Sequence, residues 1–168
     1  MQQRKDDADA VDDIVGRWAA VRPGLDTTAM EVFGRVFLLA RAMGDRLEKA
    51  YERYGISRGE FDVLATLRRS DEPHALSPRR LSAALMLTTG GMTGRLDKLE
   101  RAGLLRRSPD PHDRRALQVT LTEEGLRLVD EAVGAGLAEQ TAALASLDAE
   151  QAGQLAGLLR ELLRSTAG

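Results

Sequence analysis

Residues 88–124 read TTGGMTGRLDKLERAGLLRRSPDPHDRRALQVTLTEE. The periodicity changes once within this stretch. Met92, Leu96 and Leu99 recur at helical spacing up to Gly103, a residue type that ends helices. Leu104-Leu105-Arg106-Arg107 and the strictly alternating Leu117-Gln118-Val119-Thr120-Leu121 are short β-type runs. Between them, Pro109 to Arg115 is rich in turn residues and carries cations at its tip. Thr122-Glu123-Glu124 then has the pattern of a helix cap.

Working outward, Ser77-Pro78 places a cap before a proline at the first helical position and opens a short helix with Leu81, Ala84 and Leu85 inward. Ser57-Arg58-Gly59-Glu60 has capping-box spacing ahead of Phe61, Leu64 and Leu67. A helix of nearly thirty residues is expected from Asp26, Thr27 or Thr28 to Gly55, with an apolar stripe through Met30, Phe33, Phe37, Ala40, Met43, Leu47, Ala50, Tyr51 and Tyr54. A short amphipathic helix is expected over 9–20, ended by Arg22-Pro23-Gly24. Two more helices follow the β runs. One carries Leu126, Val129, Val133 and Leu137; the other starts at Asp148 and Gln151 and carries Leu155, Leu158, Leu159, Leu162 and Leu163. The fold expected is therefore mainly α with a small two-stranded hairpin as a wing, a winged helix-turn-helix.

Composition narrows the function. The chain has 168 residues and no cysteine, which excludes disulfides, thiolate metal sites and a cysteine nucleophile. No apolar run approaches the ~20 residues of a membrane span. The start, Met1 to Asp13, is too polar for a secretory signal, so the cytoplasm is the expected location. His74 and His112 both fall in expected loops, and no HExxH, GxSxG or phosphate-loop pattern occurs, so no enzyme, cofactor or metal is expected. The net charge of −2 hides an uneven distribution: residues 76–115 hold nine basic and four acidic side chains, and residues 116–168 hold three and eight. A basic middle fits either a polyanion partner or a solvated face.

The motifs within that middle favour DNA. A helix fits the major groove, where base edges present a distinct donor and acceptor pattern. The helix from Thr88 offers Thr89, Thr93, Arg95 and Lys98 as donors. Gly90, Gly91 and Gly94 weaken it by roughly 1 kcal/mol each against alanine. They point either to close approach of a duplex or to close packing against another helix. At the hairpin tip, Arg114 and Arg115 suit a narrow minor groove, with Asp113 positioned to orient an arginine.

Leu81-Ser82-Ala83-Ala84-Leu85, the run Arg95-Leu96-Asp97-Lys98-Leu99-Glu100-Arg101-Ala102-Gly103-Leu104, and Asp110 to Arg115 continuing through Val119-Thr120-Leu121-Thr122-Glu123-Glu124-Gly125 resemble the MarR family of regulators. The resemblance implies a homodimer that binds a pseudo-palindromic double-stranded operator and usually represses. Thr88 to Lys98 would then read the major groove, and Arg115, paired with Asp113, the minor groove. It divides the chain into an extra N-terminal helix (1–24), dimerisation helices (25–55 and 122–168) and the DNA-binding lobe (56–121).

Trp18, Arg22-Pro23-Gly24-Leu25-Asp26 and Glu60-Phe61-Asp62-Val63-Leu64 further resemble the urate-responsive PecS/HucR-like branch. That implies a small-molecule effector, urate or a phenolic acid, contacted by Trp18, Asp62, Arg80 and Arg95. Indole stacks on a flat purine and guanidinium pairs with an anion. Each residue also has a plainer reading: Trp18 as a packing anchor, Asp62 as a partner of the helix dipole, Arg80 as a phosphate contact. Arg79 beside Arg80 leaves open which of the two, or Arg95, faces a ligand. The rival functions are a nonspecific architectural DNA protein, which the slightly negative net charge disfavours, and a winged helix that binds only protein.

Overall fold

The computed structural model describes residues 8–72, 74–110 and 116–166. Asp9 caps the first helix, α1 (Ala10–Val21), with its side chain accepting from the Val11 and Asp12 amides. The second, α2 (Thr28–Glu52), ends before Gly55, whose φ of +72° suits a residue without a Cβ. There follow α3 (Arg58–Arg68), β1 (Ala75–Leu76), α4 (Pro78–Ala84), α5 (Thr89–Arg101), β2 (Leu105–Pro109), β3 (Leu117–Leu121), α6 (Glu123–Ala143) and α7 (Ala149–Thr166).

The chain forms two compact units, Met1–Arg46 and Leu47–Gly168, with the division inside α2. In the first unit, α1 packs on α2 through Val11, which is buried and lies against Gly34. Arg35 clamps the start of α1, donating to Asp9 and Asp12 at 2.8 Å each. Those bonds, after the Asp9 backbone contact, hold the Asp12 carboxyl below the ordinary carboxylate range.

The second unit contains one core. Val63, Leu64 and Leu67 of α3 meet Leu81 of α4, Met92, Leu96 and Leu99 of α5, Val119 and Leu121 of β3, and Val129 and Ala132 of α6. Tyr51 stacks on Phe61 at 4.1 Å between ring centroids, and burial raises the Tyr51 phenol above its ordinary value. The capping boxes expected at Ser57–Glu60 and Asp148–Gln151 are both formed.

Three features depart from the sequence reading. The sheet has three strands, in order β1-β3-β2, rather than a two-stranded hairpin: Ala75 and Leu76 pair antiparallel with Thr120 and Val119. Two residues cannot display alternation, so only the neighbouring strand defines β1. Ala84 is exposed, leaving Leu81 as the buried anchor of α4. The long α2 stripe is buried only at Leu47, Ala50 and Tyr51; Phe33 and Phe37 are exposed.

His74 lies in a turn, as expected, and is buried there with φ +55°, its Nδ1 2.9 Å from the Ser70 carbonyl and its Nε2 2.8 Å from Glu72. Arg68 contacts the same ring and donates to Asp130 of α6 at 2.8 Å, so this turn is pinned to two helices.

At the root of the sheet, a Cβ on Gly125 would run into the Leu104 carbonyl. Gly125→Ala is therefore expected to destabilise the fold by about 1–3 kcal/mol. Urea unfolding at fixed protein concentration checks this, and unchanged stability would contradict the close approach.

Candidate nucleic-acid interface

The α4–turn–α5 segment is built by two caps and four buried side chains. Ser77 accepts from the Arg80 amide with Pro78 at the first helical position, and Leu81 is fully buried. The turn passes through Met86, which has φ +51° and is 93% exposed, before the Leu87 amide donates to the Ser82 carbonyl. Thr88 then caps α5, its Oγ1 accepting from the Gly91 amide. Met92, Leu96 and Leu99 fasten one face of α5 into the core. The other face leaves Thr89, Gly90, Gly91, Thr93 and Gly94 exposed.

These glycines do not serve internal packing. An added Cβ at Gly90 or Gly94 meets nothing within 4 Å, and at Gly91 it meets only the Thr88 hydroxyl of its own cap. Of the two readings the sequence left open, helix-on-helix contact within the chain is thereby removed. The exposed strip is smooth and narrow enough for another surface to reach its backbone.

The cations divide into two groups. Arg95 and Lys98 turn toward α3: Arg95 Nη1 donates to the Gly59 carbonyl at 3.2 Å, and Lys98 Nζ lies 3.6 Å from Glu60. A Cβ on Gly59 would collide with the Arg95 guanidinium, so that guanidinium lies flat on the first turn of α3. Within residues 76–110, the exposed cations whose side chains have neither an ion pair nor a hydrogen bond are Arg79, Arg80 and Arg106. Arg79 borders a cleft of about 580 Å³ with Ser82, Thr89, Thr93 and Leu117, beside the exposed strip of α5. Arg80 lies on another side, with Arg69, Asp71 and Glu72. Adjacent in sequence, the two arginines serve different surfaces. Arg79 and Arg106 were not singled out for DNA from sequence; strand alternation would have marked Arg106 as outward.

In the wing, Leu105, Val119 and Leu121 point inward. Arg107 shares their face and is held by α5. Its Nε donates to Glu100 at 2.8 Å, its Nη2 reaches Asp97 at 2.7 Å, and its amide donates to Glu100 Oε1 at 2.9 Å. Asp113, Arg114 and Arg115, the expected tip contacts, lie outside the described residues.

The expected effector contacts fall in both compact units, Trp18 in the first and Asp62, Arg80 and Arg95 in the second. Trp18 is 42% exposed on α1, bordering a surface hollow with Ile14, Arg17 and Val21. Asp62 is half-buried on α3, where its charge adds to the rise of the Tyr51 phenol. Arg80 borders a cleft with Arg69, Asp71 and Glu72, whereas Arg95 lies on the Gly59 carbonyl.

Two outcomes follow from this geometry. Gly94→Ala is expected to stabilise the free protein by about 1 kcal/mol; a loss in urea unfolding would show a packing role instead. The Arg107 bonds hold the Glu100 carboxyl below its ordinary range. Because the folded value is depressed, this contribution is complete above the unfolded carboxylate range and is lost as pH falls through the folded value. A carboxyl NMR titration should place Glu100 below free glutamate and return it toward the ordinary value in Arg107→Ala. An unshifted wild-type Glu100 would contradict the clamp.

Comparison with known proteins agrees with this architecture. Residues 54–116 match the MarR family. The chain is 39% identical over 149 residues to the HTH-type transcriptional regulator PecS of Dickeya dadantii, covering 89% of this chain and 90% of that protein. The apo structure of wild-type MarR from E. coli is 25% identical with a TM-score of 0.67, covering 77% of this chain and 95% of that one. A mutant of that protein complexed with operator DNA, 23% identical, has the same fold at a TM-score of 0.71 and covers 83% and 99%. With a core across α3 to α6, a three-stranded sheet and a relative matched over most of both chains, the chain belongs to the MarR family of sequence-specific DNA-binding transcriptional regulators.

Proposed function

We propose that this chain acts as a homodimeric repressor that binds a pseudo-palindromic operator and is released by a small aromatic anion, urate or a phenolic acid. The observation that carries the DNA reading is the exposed strip of α5, with Thr89, Gly90, Thr93 and Gly94 open to solvent and Arg79 alongside. In this reading, the hydroxyl and methyl groups of Thr89 and Thr93 meet base edges, the bare glycine backbone permits close approach, and Arg79 meets phosphate. Arg114 and Arg115 enter the minor groove, oriented by Asp113. Residues 56–121 form the DNA-binding lobe.

The dimer reading rests on apolar side chains left exposed on the terminal helices. Residues 25–55 and 122–168 supply this surface, including Phe37 of α2, Leu137 of α6, and Leu158 and Leu163 of α7. Helix α7 buries none of its residues, which is costly for so apolar a face unless a second copy covers it. Residues 1–24 supply an additional helix for the effector or the dimer.

The effector reading rests on Trp18 as an exposed aromatic face, on Asp62, and on the arginines Arg80 and Arg95. Removing Arg95 from the Gly59 carbonyl would free the middle of α5 from α3, a route by which an anion could disturb the reading helix. The expected coupling is ~1–3 kcal/mol, a 5–150-fold loss of operator affinity at saturating effector.

The deciding experiment selects a duplex from a random pool with the intact protein and measures its affinity against bulk DNA. Thr89→Ala and Arg115→Ala should each cost about 1–3 kcal/mol of operator affinity. An architectural protein would enrich no sequence and would show no such discrimination. Titrating the bound operator with urate and phenolic acids tests the effector: Trp18→Phe and Asp62→Asn should blunt release while operator affinity stays near wild type. Release by wild-type concentrations of urate in both variants would remove this assignment. Leu158→Asp combined with Leu163→Asp should shift sedimentation from dimer toward monomer, and an unchanged dimer would move the interface elsewhere.

A further inference from the structure

We infer that Arg107 is a positioning residue for operator recognition: by bridging α5 and β2 it holds the wing at a fixed offset from the helix that reads the major groove. This rests on the proposed DNA reading of those two elements and adds what sets the distance between them.

The two neighbouring arginines of β2 behave oppositely. Arg106, opposite Thr120, is exposed with no partner among the described residues. Arg107, opposite Val119, turns inward and meets Asp97 and Glu100, which stand three residues apart on one face of α5. Glu100 binds residue 107 twice, through the guanidinium and through the backbone amide at 2.9 Å. The strand's main chain is therefore fixed, in addition to its side chain.

The wing root is already closed, since the Thr122 amide donates to the Leu104 carbonyl at 3.2 Å. A single tether leaves a strand free to pivot; a second one farther along fixes its direction. A strand of five residues is about 16 Å long, so a pivot of about 10° moves its far end by about 3 Å. That is the length of a hydrogen bond, enough to take the hairpin tip out of register with a groove. The clamp also neutralises two carboxylates on α5 that would otherwise repel phosphates. Arg107 is correspondingly a poor direct phosphate contact, because both acids already hold it.

The test uses the full-length dimer and the ratio of its affinities for the selected operator and for an unrelated duplex of equal length at the same salt. In Arg107→Ala the ratio should fall roughly tenfold, the scale of a lost pairwise coupling. Asp97→Asn combined with Glu100→Gln frees the arginine and removes two negative charges. Binding to the unrelated duplex should strengthen while the ratio still falls. The exchanged pair, Arg107→Glu with Glu100→Arg, conserves net charge and restores the side-chain bridge but not the bond to the residue 107 amide, so it should recover part of the lost ratio.

Amide hydrogen exchange should show faster exchange at residues 107–108 and 117–119 in the two unclamped variants, with the α3 and α6 core unchanged. The inference is overturned if Asp97→Asn with Glu100→Gln strengthens both affinities and leaves the ratio intact. It is equally overturned if the exchanged pair folds yet stays as weak as Arg107→Ala, which would make Arg107 a direct DNA contact. Should the exchanged pair fail to fold, the neutralised variant decides alone. A wild-type protein that enriches no sequence would overturn the DNA reading itself, a separate result that removes this inference with it.

Discussion

The Thr122 hydroxyl donates to the Gly103 carbonyl at 2.7 Å and accepts from the Gly125 amide at 3.0 Å. One side chain thereby satisfies a carbonyl just past the end of α5 and a free amide at the start of α6. The same residue closes β3 onto Leu104 through its own amide, and Gly125 lets the two backbones approach without a Cβ between them. The end of α5, the root of the wing and the start of the long α6 meet at this junction. A displacement there would be transmitted to all three, because close-packed backbone leaves no slack to absorb it.

The distribution of cations follows from the same packing. Segment charge marked residues 76–115 as basic, fitting either a polyanion partner or a solvated face, yet Arg95, Lys98, Arg101 and Arg107 are each held by a protein acceptor on α3 or α5. Within residues 76–110, Arg79, Arg80 and Arg106 are the exposed cations whose side chains have no protein acceptor. Much of the basic bias therefore acts inside the lobe, holding α5 to α3 and the wing to α5. Counting charges along the chain cannot separate these uses, because a salt bridge and a free arginine contribute the same residue to the count.

Apolar surface tells a complementary story. Within Leu47–Gly168, the core is continuous across α3, α4, α5, β3 and α6, whereas α7 keeps its leucines in the open. An amphipathic helix is stable in water only when something covers its apolar stripe. These exposed stripes are the observation from which the dimer is proposed.

Much of this was legible in the sequence. Every helix described follows an apolar stripe or a cap that could be named beforehand, and Ser57, Ser77, Thr88, Thr122 and Asp148 all cap where their spacing placed them. These features are local: a hydroxyl or carboxylate and an amide two or three residues on need no information from elsewhere. The same holds for the change of period at Gly103 that marked helix giving way to wing.

What only the tertiary structure decided is the set of contacts between residues distant in sequence. The β1 strand exists because β3 lies beside it, and His74 is buried because Arg68 and the α3 turn enclose it. Arg79 and Arg80 part company, Arg95 settles on Gly59, and Arg107 is drawn inward while Arg106 stays outside. Local spacing specifies the helices and their caps because those bonds form within a turn of chain. The partner of a long charged side chain is specified by which element folding brings within reach, and that depends on packing across the whole lobe.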